Sequence, residues 1–382
     1  MAGDRPLRLA LVSSGLGHEL RGIEMWMAEL ALHLPAEAEV ELWPGGQLSL
    51  PGCTRPIRRM WNIGRHHPLI RFCSWAHRYE IEQYSAIPSV LWRLRQRRPD
   101  VVYCGDPVLA WNLKRFRRWH GARVVFTDGM RLSPHWLRGY DGVHLLAPPY
   151  LTEANRILTG IPKGHYFAVP YFVDTARFRP PTPEERAAAR AAFGLPQDAF
   201  IVLTIGPVGQ VSGKRLDFLA SEVAAGSSTA LLVSAGGDED GSEAVHAHVA
   251  KVLGPRAKLL GRVDRQRIQQ LHWVADVYSL GTLAEPFSIA LLEALACGTP
   301  VIHNNETVMS WQSGVGGFAV SMETPGEAAA AIRQVAANPQ LRAEKSRAAR
   351  ALALERYSPG PVGATLVREL RHVAERPLGL LT

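Results

Sequence analysis

Short apolar segments alternate with longer helical segments along the whole chain, and this alternation restricts the fold more than any other feature. Strands that alternate with helices form parallel sheets covered by helices on both faces. The pattern predicts an α/β fold with two doubly wound, Rossmann-like domains, whose ligand sites at the carboxyl ends of the strands would face each other across a cleft. The predicted strands span residues 7–12, 40–43, 101–104, 123–126 and 143–146 in the first series, and 200–205, 230–235, 257–260, 277–279 and 301–303 in the second.

Length and composition agree with two domains. The chain has 382 residues, which is long for one ordinary core, and 47% of its residues are apolar. We place the first domain at residues 1–170, the second at 171–355 and a C-terminal segment, mostly helical, at 356–382. A polar, proline-rich stretch at 179–185 marks the passage into the second domain.

Targeting signals and cysteines add little chemistry. The sequence has no run of about eighteen apolar residues, and it enters its first strand without the charged and apolar regions of a signal peptide, so we expect a cytoplasmic protein. Its four cysteines are isolated, so neither a metal site nor a disulfide framework is predicted. These reduced thiols are Cys53, Cys73, Cys104 and Cys297.

Residues 285–302 carry the strongest chemical signal. They read Glu-Pro-Phe-Ser-Ile-Ala-Leu-Leu-Glu-Ala-Leu-Ala-Cys-Gly-Thr-Pro-Val-Ile and predict a turn, a helix over 289–297 and a buried strand. Backbone N–H groups of residues 287–291 would point out of the helix start, where a phosphate can bind. Glu293 lies on a helix that is apolar almost all round, so we favour a buried carboxylate with a partner over a solvated surface residue.

This segment resembles the Glu-x7-Glu element of the family 4 retaining glycosyltransferases, which have the GT-B fold. Four further stretches resemble motifs of that family in the same order: the glycine loop at 13–24, the interdomain stretch at 170–178, the lysine loop at 201–215, and the nucleoside-binding strand ends at 231–238 and Val263. The resemblance implies that the first domain binds the acceptor and the second the nucleotide-sugar donor. It also implies that the C-terminal helix packs back on the first domain.

The resemblance implies roles for single residues. Glu285 would hold hydroxyls of the donor sugar, Glu293 those of the ribose, and Lys214 the departing diphosphate, although an exposed loop lysine is the alternative. A phosphate oxygen of the leaving group would take the acceptor's proton, which gives retention without a covalent intermediate, a cofactor or a metal. The predicted donor-binding residues are Gly15, Gly17, Gly206, Lys214, Arg215, Gly236, Val263, Glu285, Phe287, Ser288, Ile289 and Glu293.

The chain departs from the family pattern at two positions. Gly206 is followed by Pro207 where relatives carry an arginine nearby, so Arg215 is the candidate for the second cation. Relatives carry a histidine at a strand end where this chain has Asp128, a residue that can handle a proton or simply hold an Asp-Gly turn. His18, in the first glycine loop, is equally well explained as a solvent-facing residue. The predicted catalytic residues are Glu285, Lys214, Asp128 and His18.

The first domain carries most of the positive charge. Residues 55–123 hold fifteen Lys or Arg against four acids, whereas the whole chain has a net charge of +8. For the arginine-rich stretches 93–98 and 114–118 we favour a solvated basic helix face on the outside, which covers a core that holds the aromatic residues. For residues 58–75 we favour acceptor recognition by a flat aromatic floor. The predicted acceptor-binding residues are Trp61, His66, His67 and Trp75.

The same region raises two further partners, a nucleic acid and a membrane. Arginine and aromatic residues interleave there as in nucleic-acid platforms, but no RNA-binding or zinc motif accompanies them, so no nucleic-acid partner is predicted. Membrane contact is not expected, although the basic first domain leaves it open.

The sequence therefore predicts a retaining glycosyltransferase of the hexosyltransferase type. It would move a sugar from a nucleoside diphosphate sugar to a hydroxyl of a bulky natural product or a sugar-containing intermediate, as in natural product biosynthesis. Two alternatives stay open: a nucleotide-sugar epimerase or phosphorylase-like enzyme of the same fold, and a catalytically silent chain that binds a nucleotide sugar and activates a partner. Turnover of the donor only when acceptor is present distinguishes a glycosyltransferase from both alternatives.

Overall fold

The computed structural model describes residues 5–19, 22–161 and 163–377. Within them the chain forms two compact units: the first holds the described residues up to Phe172 and from Pro359 onward, and the second spans Val173–Ser358. Each border thus lies two or three residues beyond the predicted ones at 170 and 355. The predicted segments also include residues 1–4 and 378–382, which lie outside the described residues.

The first unit is built on one parallel sheet. Its strands are β1 (Leu7–Ser13), β2 (Ala38–Pro44), β3 (Val101–Cys104), β4 (Arg123–Thr127), β5 (Gly142–Leu145) and β6 (His165–Ala168). Its helices are α1 (Gly22–His33), α2 (Trp75–Arg97), α3 (Pro107–Arg115), α4 (Arg117–His120), α5 (Pro148–Ile157) and, from the end of the chain, α14 (Pro359–Glu375). The strand order is β2-β1-β3-β4-β5-β6, and α14 packs against α1, β3 and β4.

The second unit repeats this design. Its strands are β7 (Ile201–Ile205), β8 (Leu231–Ala235), β9 (Ala257–Leu259), β10 (Val277–Ser279), β11 (Val301–Asn304) and β12 (Gly317–Val320), in the order β12-β11-β10-β7-β8-β9. Its helices are α6 (Pro183–Ala192), α7 (Leu216–Gly226), α8 (Ser242–Leu253), α9 (Ile268–Val274), α10 (Ile289–Ala296), α11 (Thr307–Ser313), α12 (Glu327–Ala337) and α13 (Pro339–Arg356). None of the helices in the described ranges has the length and apolar composition needed to cross a membrane.

The predicted α/β fold of two doubly wound parallel sheets is confirmed. All ten predicted strands are present, and their ends differ from the prediction by at most two residues. Two strands, β6 and β12, were missed. Both lie at a sheet edge, where one side of the strand lacks a neighbour, and no residue of β12 is fully buried. β6 reads His-Tyr-Phe-Ala and β12 reads Gly-Phe-Ala-Val, so both lack the continuous aliphatic run that marks the central strands of a parallel sheet.

Two glycines bring the ends of β7 and β8 together. The N–H of Gly206 donates to Ala235 O at 2.9 Å, and a Cβ atom on Gly236 would lie only 1.8 Å from Gly206 O. The clashing atom is backbone, so no side-chain rotation relieves it. This close approach fixes the two loops that follow the strands, and both loops border the site described below.

We expect Gly236→Ala to destabilise the second unit by about 1–3 kcal/mol, because the added methyl group overpacks a rigid backbone contact. The free energy of unfolding from urea titration measures the loss. Gly360→Ala is the control, since a Cβ at Gly360 meets no atom within 4 Å. Equal stability of the two variants would show that the β7 and β8 loops can separate freely.

Candidate functional site

The start of α10 is a buried, hydrogen-bonded corner. Ser288 precedes the helix, and its Oγ accepts from Leu291 N at 3.3 Å. Gln312 of α11 holds the other side of Ser288, because its Oε1 accepts from Ser288 N at 3.2 Å and its Nε2 donates to Ser288 O at 2.6 Å. In the part of the chain that the structure describes, the N–H groups of Ile289 and Ala290 have no acceptor. Two of the five N–H groups predicted to meet an anion thus remain without a protein partner.

Lys214 and Glu285 form an ion pair beside this corner. Lys214 Nζ lies 2.5 Å from Glu285 Oε2, and the two side chains are 21% and 17% exposed. The aliphatic part of Lys214 runs along Gly206, with carbon atoms 3.1–3.2 Å from the position that a Cβ of Gly206 would take. Lys214 is therefore held in place by packing and charge, unlike the exposed loop lysine of the alternative interpretation. The pair joins the loop after β7 to the residues before α10.

Glu293 is 2% exposed and has two partners. Its Oε1 accepts from Arg265 Nη1, and its Oε2 lies 3.4 Å from His272 Nε2. Burial works to raise the pKa of Glu293, but the charges and hydrogen bonds of Arg265 and His272 outweigh it, so the pKa lies below the ordinary value of 4.5. The expectation that a buried Glu293 needs a partner is met, and the carboxylate is ionised at neutral pH.

The remaining residues at the strand ends of the second unit differ in their contacts. Arg215 has a left-handed backbone conformation with a φ of 51°, and its Nη1 donates to Met322 O at 2.7 Å and to Gly281 O at 3.3 Å. These contacts hold backbone segments, and they do not support the prediction that Arg215 supplies the second phosphate cation. Arg262 packs on Gly237, where a Cβ would lie 2.5 Å from Arg262 Nε. Arg262 is exposed, and no described residue pairs with its guanidinium.

The glycine loop of the first unit is closely packed. Gly17 has a φ of 87°, and a Cβ there would lie 2.7 Å from the carbonyl carbon of Gly46. The carbonyl of Gly15 accepts from the N–H groups of His18 and Glu19 at 2.9 Å. The His18 ring is half-buried, with Nε2 3.4 Å from Asn62 Oδ1. His18 is therefore not a freely solvated loop histidine, and the packing accounts for the glycine at position 17.

Asp128 holds a turn. Its Oδ1 accepts from Met130 N at 3.1 Å and its Oδ2 from Leu132 N at 2.9 Å. Burial raises the pKa of Asp128 to about 6, although the backbone hydrogen bonds oppose the shift. Because both oxygens bind the chain's own backbone, the contacts favour the turn role over the predicted catalytic role.

The predicted acceptor residues do not converge. Trp61 O accepts from Ser89 Oγ in α2, whereas Trp75 begins the same helix. Fourteen helical residues span about 20 Å, so the backbone of Trp61 and that of Trp75 are held at distant points of this helix. His66 pairs with Glu19 at 2.5 Å, and His67 accepts from Leu69 N at 3.3 Å. The structure therefore does not support a single aromatic floor made of Trp61, His66, His67 and Trp75.

The interpretation of the basic stretches also needs correction. We expected arginines outside and the aromatic residues in a core, but Trp92, Trp111, Phe116 and Trp119 are all exposed. The aliphatic residues of α2 and α3, such as Val90 and Leu109, fill the core instead. Spacing along a helix shows which residues share a face, but it does not show whether that face is covered. Here arginines and aromatic residues share the exposed face.

No cluster of three or more His, Cys, Asp or Glu side chains suited to a metal ion occurs in the described residues. The four cysteines are all free, with Cys104 and Cys297 buried and the other two half-buried.

Sequence reasoning missed the residues that complete this site. Arg265 and His272 contact the Glu293 carboxylate, and Gln312 holds Ser288. Arg265 could have been found, because a buried carboxylate requires a nearby cation. For Gln312 the sequence gives no signal, since it lies 24 residues beyond Ser288 on another helix.

Glu293→Gln should lose stability at neutral pH, because it leaves Arg265 without its buried counterion. The pKa of Glu293 is depressed in the folded protein, so its stabilising effect is fully present above pH 4.5 and disappears as the pH falls through the folded-state pKa. We therefore expect wild type and variant to differ most at pH 7 and to converge in acid, as measured by urea unfolding across pH. Glu344→Gln, at an exposed position in α13, is the matched control. A constant difference at all pH values would contradict this account.

Asp128→Ala should destabilise the first unit by about 1–3 kcal/mol, because two backbone N–H groups lose their acceptor. Asp128→Asn keeps one acceptor oxygen and should lose less. Thermal unfolding compares both with Asp198→Ala, which removes an exposed carboxylate. If both Asp128 variants were as stable as wild type, the carboxylate would not hold the turn.

Comparisons with known proteins show that the residues of this site lie in a region that matches a family model. Residues 199–338 match the family described as "Glycosyl transferases group 1". The chain is 31% identical over 196 residues to D-inositol 3-phosphate glycosyltransferase 2 of Catenulispora acidiphila, covering 47% of this chain and 45% of that protein. It is 32% identical over 192 residues to the D-inositol 3-phosphate glycosyltransferase of Saccharomonospora viridis, covering 47% and 43%. The chain thus spans less than half the length of these relatives.

Solved structures match over nearly the whole chain. Sucrose-phosphate synthase from Thermosynechococcus elongatus has a TM-score of 0.80 at 18% identity and covers 97% of this chain and 99% of its own. Anabaena HepE in complex with UDP has a TM-score of 0.75 at 16% identity and covers 96% and 100%. At these identities the likeness shows the fold alone. Residues 199–338 thus match the family of glycosyl transferases group 1, and the chain has the fold of the GT-B glycosyltransferases.

Proposed function

We propose that this chain is a retaining glycosyltransferase that moves a sugar from a nucleoside diphosphate sugar to a hydroxyl acceptor. The observation that carries the proposal is the joint position of Lys214 and Glu285 next to the buried start of α10. Glu293 lies eight residues after Glu285 on that helix, and all three lie within the matched residues 199–338. A cation, two carboxylates and unused backbone N–H groups thus meet at one edge of the second unit.

Each part suits one portion of such a donor. The unpaired N–H groups of Ile289 and Ala290 and the charge of Lys214 favour the diphosphate. When the diphosphate binds, Lys214 can exchange Glu285 for a phosphate oxygen, which leaves the Glu285 carboxylate to accept from sugar hydroxyls. Glu293, kept ionised by Arg265 and His272, would accept from the ribose hydroxyls. Arg262 is the candidate for a second cation, since Arg215 is bound to backbone carbonyls.

In the proposed reaction the bond between the anomeric carbon and the β-phosphate oxygen breaks, and its electrons stay on the phosphate. The acceptor oxygen forms a bond to the anomeric carbon on the same face, and its proton moves to a phosphate oxygen. Negative charge grows on the leaving group, so a fixed cation contributes more than a strong base would. No metal or cofactor takes part in this proposal.

The comparisons support a choice of substrates for the first assays. HepE was crystallised with UDP and with UDP-glucose, so UDP-glucose is the first donor to test. D-inositol 3-phosphate, named for the sequence relatives, is the first acceptor, followed by bulky natural products and sugar-containing intermediates. Thermal shift with UDP, GDP, dTDP and ADP sugars ranks the donors, because a ligand that binds the native state raises its stability. A cytoplasmic location, expected from the sequence, fits the use of such donors.

Lys214→Ala should lower kcat together with kcat/KM, since its contact strengthens as charge develops on the diphosphate. We expect a loss of about 100-fold, as for other groups that stabilise transition-state charge. Steady-state turnover of the best donor measures it, with Lys251→Ala in α8 as the exposed-lysine control. A change in KM alone would assign Lys214 to donor binding, and unchanged kinetics would remove it from the site.

Donor turnover with and without acceptor tests the class of reaction. Transfer requires the acceptor and gives a product with the anomeric configuration of the donor, which NMR determines. Conversion of the nucleotide sugar without acceptor would instead indicate an epimerase, and binding without any turnover would indicate a silent nucleotide-sugar-binding chain. Either result would overturn the proposal.

A further inference from the structure

The first unit presents a broad surface of exposed aromatic residues and arginines that the proposed reaction does not use. Along α2, the residues Tyr84, Pro88, Trp92 and Arg95 follow one another at helical spacing, and all four are exposed. Trp92 is 61% exposed and Tyr84 55%. Side chains of this size normally bury more of their area, so a continuous exposed row needs an explanation.

A second row lies beside the first. Gln83 Oε1 of α2 accepts from Val108 N of α3 at 2.8 Å, and the guanidinium of Arg95 lies 6.0 Å from the Trp119 ring in α4. The segment from α3 to α4 therefore runs next to α2 in the same direction over about 18 Å. Its exposed residues extend the row on α2 into one surface: Trp111, Arg115, Phe116, Arg118 and Trp119.

This aromatic and basic surface carries almost no negative charge. Between residues 83 and 119 the chain has eight Lys or Arg and only two acids, Asp100 and Asp106. Asp106 is buried, and Asp100 pairs with Arg5. No carboxylate of the described residues lies within ion-pair distance of the arginines on the surface. These unpaired arginines are Arg95, Arg97, Arg98, Arg115 and Arg118.

A basic cavity opens at the edge of the same surface. It has a volume of about 400 Å³, and it is lined by four arginines and one acid, Asp100. Arg95 belongs to both the cavity and the aromatic surface, so the two are continuous. The four arginines are Arg8, Arg95, Arg98 and Arg123. Arg8 lies 3.7 Å from Asp100, and Arg123 donates to Arg376 O. The guanidinium groups of Arg95 and Arg98 are therefore the ones that suit a phosphate headgroup.

We propose that α2, α3 and α4 form a docking surface for an anionic phospholipid bilayer, with the indole rings in the interfacial layer and the arginines on lipid phosphates. Tryptophan and tyrosine favour the boundary between headgroups and acyl chains, and arginine is drawn to anionic leaflets. Because the segment from α3 to α4 lies beside α2, the three helices present a broad face, which suits a planar partner. Nucleic acid and a second copy of the chain are alternative partners of the same residues, and the experiment below distinguishes both from a bilayer.

Co-sedimentation with vesicles tests the proposal. The full chain should bind vesicles that contain about 30 mol % phosphatidylglycerol, bind pure phosphatidylcholine at least about tenfold more weakly, and be released by about 0.5 M NaCl. Trp92→Ser with Trp119→Ser, and separately Arg95→Glu with Arg118→Glu, should each lower the partition coefficient by at least about tenfold. Arg347→Glu with Leu354→Ser in α13 is the matched control, which changes one charge and one exposed apolar residue in the other unit.

Several results would overturn the proposal. One is equal binding to neutral and anionic vesicles. Another is an equal loss of vesicle binding in the control variant, Arg347→Glu with Leu354→Ser. Binding of a single-stranded RNA without binding of vesicles would make the surface a nucleic-acid site. A concentration-dependent dimer that the Trp92 and Trp119 variant abolishes, without vesicle binding, would make it an interface between copies. Calorimetry could detect binding of inorganic phosphate that the arginine variant loses. If the wild-type chain then binds no vesicles, the cavity is a site for free anions only. Circular dichroism verifies that each variant is folded.

Discussion

The pairing of the buried Glu293 carboxylate with Arg265 is the interaction on which the candidate site depends. A charge in an apolar interior is costly unless it is paired, and the partners here are Arg265, just before α9, and His272, within α9. The same pairing fixes α10 relative to α9, so the start of α10 can hold a defined position. Replacing the three by apolar residues would remove the ionised group of this helix to which the proposed function assigns the ribose hydroxyls.

The other half of the site rests on glycines. The backbones of Gly206 and Gly236 approach so closely that a side chain at position 236 would clash with Gly206 O, between the loops after β7 and β8. The stem of Lys214 lies on Gly206, so the position of its ammonium group follows from that packing. Its pairing with Glu285 places opposite charges where a diphosphate and a sugar would meet them in the proposed reaction. The site is thus assembled from two loops and one helix start, all within the second unit.

The first unit has the same sheet design and uses its strand ends differently. Asp128 and Gly17 serve the geometry of the backbone, through a turn and through a contact with Gly46. Its chemically distinctive feature is the outer face of α2, α3 and α4, where aromatic residues and unpaired arginines are exposed together. A nucleotide-sugar enzyme with such a face would work beside a charged surface, which connects the two proposals without making either depend on the other.

The sequence by itself determined the alternation of strands and helices, the two parallel sheets and the segment that contains Glu285 and Glu293. These follow from local periodicity and from glycines placed at strand ends, which act over a few residues. Only the tertiary structure decided which groups meet. Gln312 reaches Ser288 from another helix, and Arg215 binds backbone carbonyls. Trp61 contacts α2 at Ser89, whereas Trp75 begins that helix. The tertiary structure also decided that Trp92 and Trp119 are exposed, because the cover of a helix face depends on residues that lie far away in the chain.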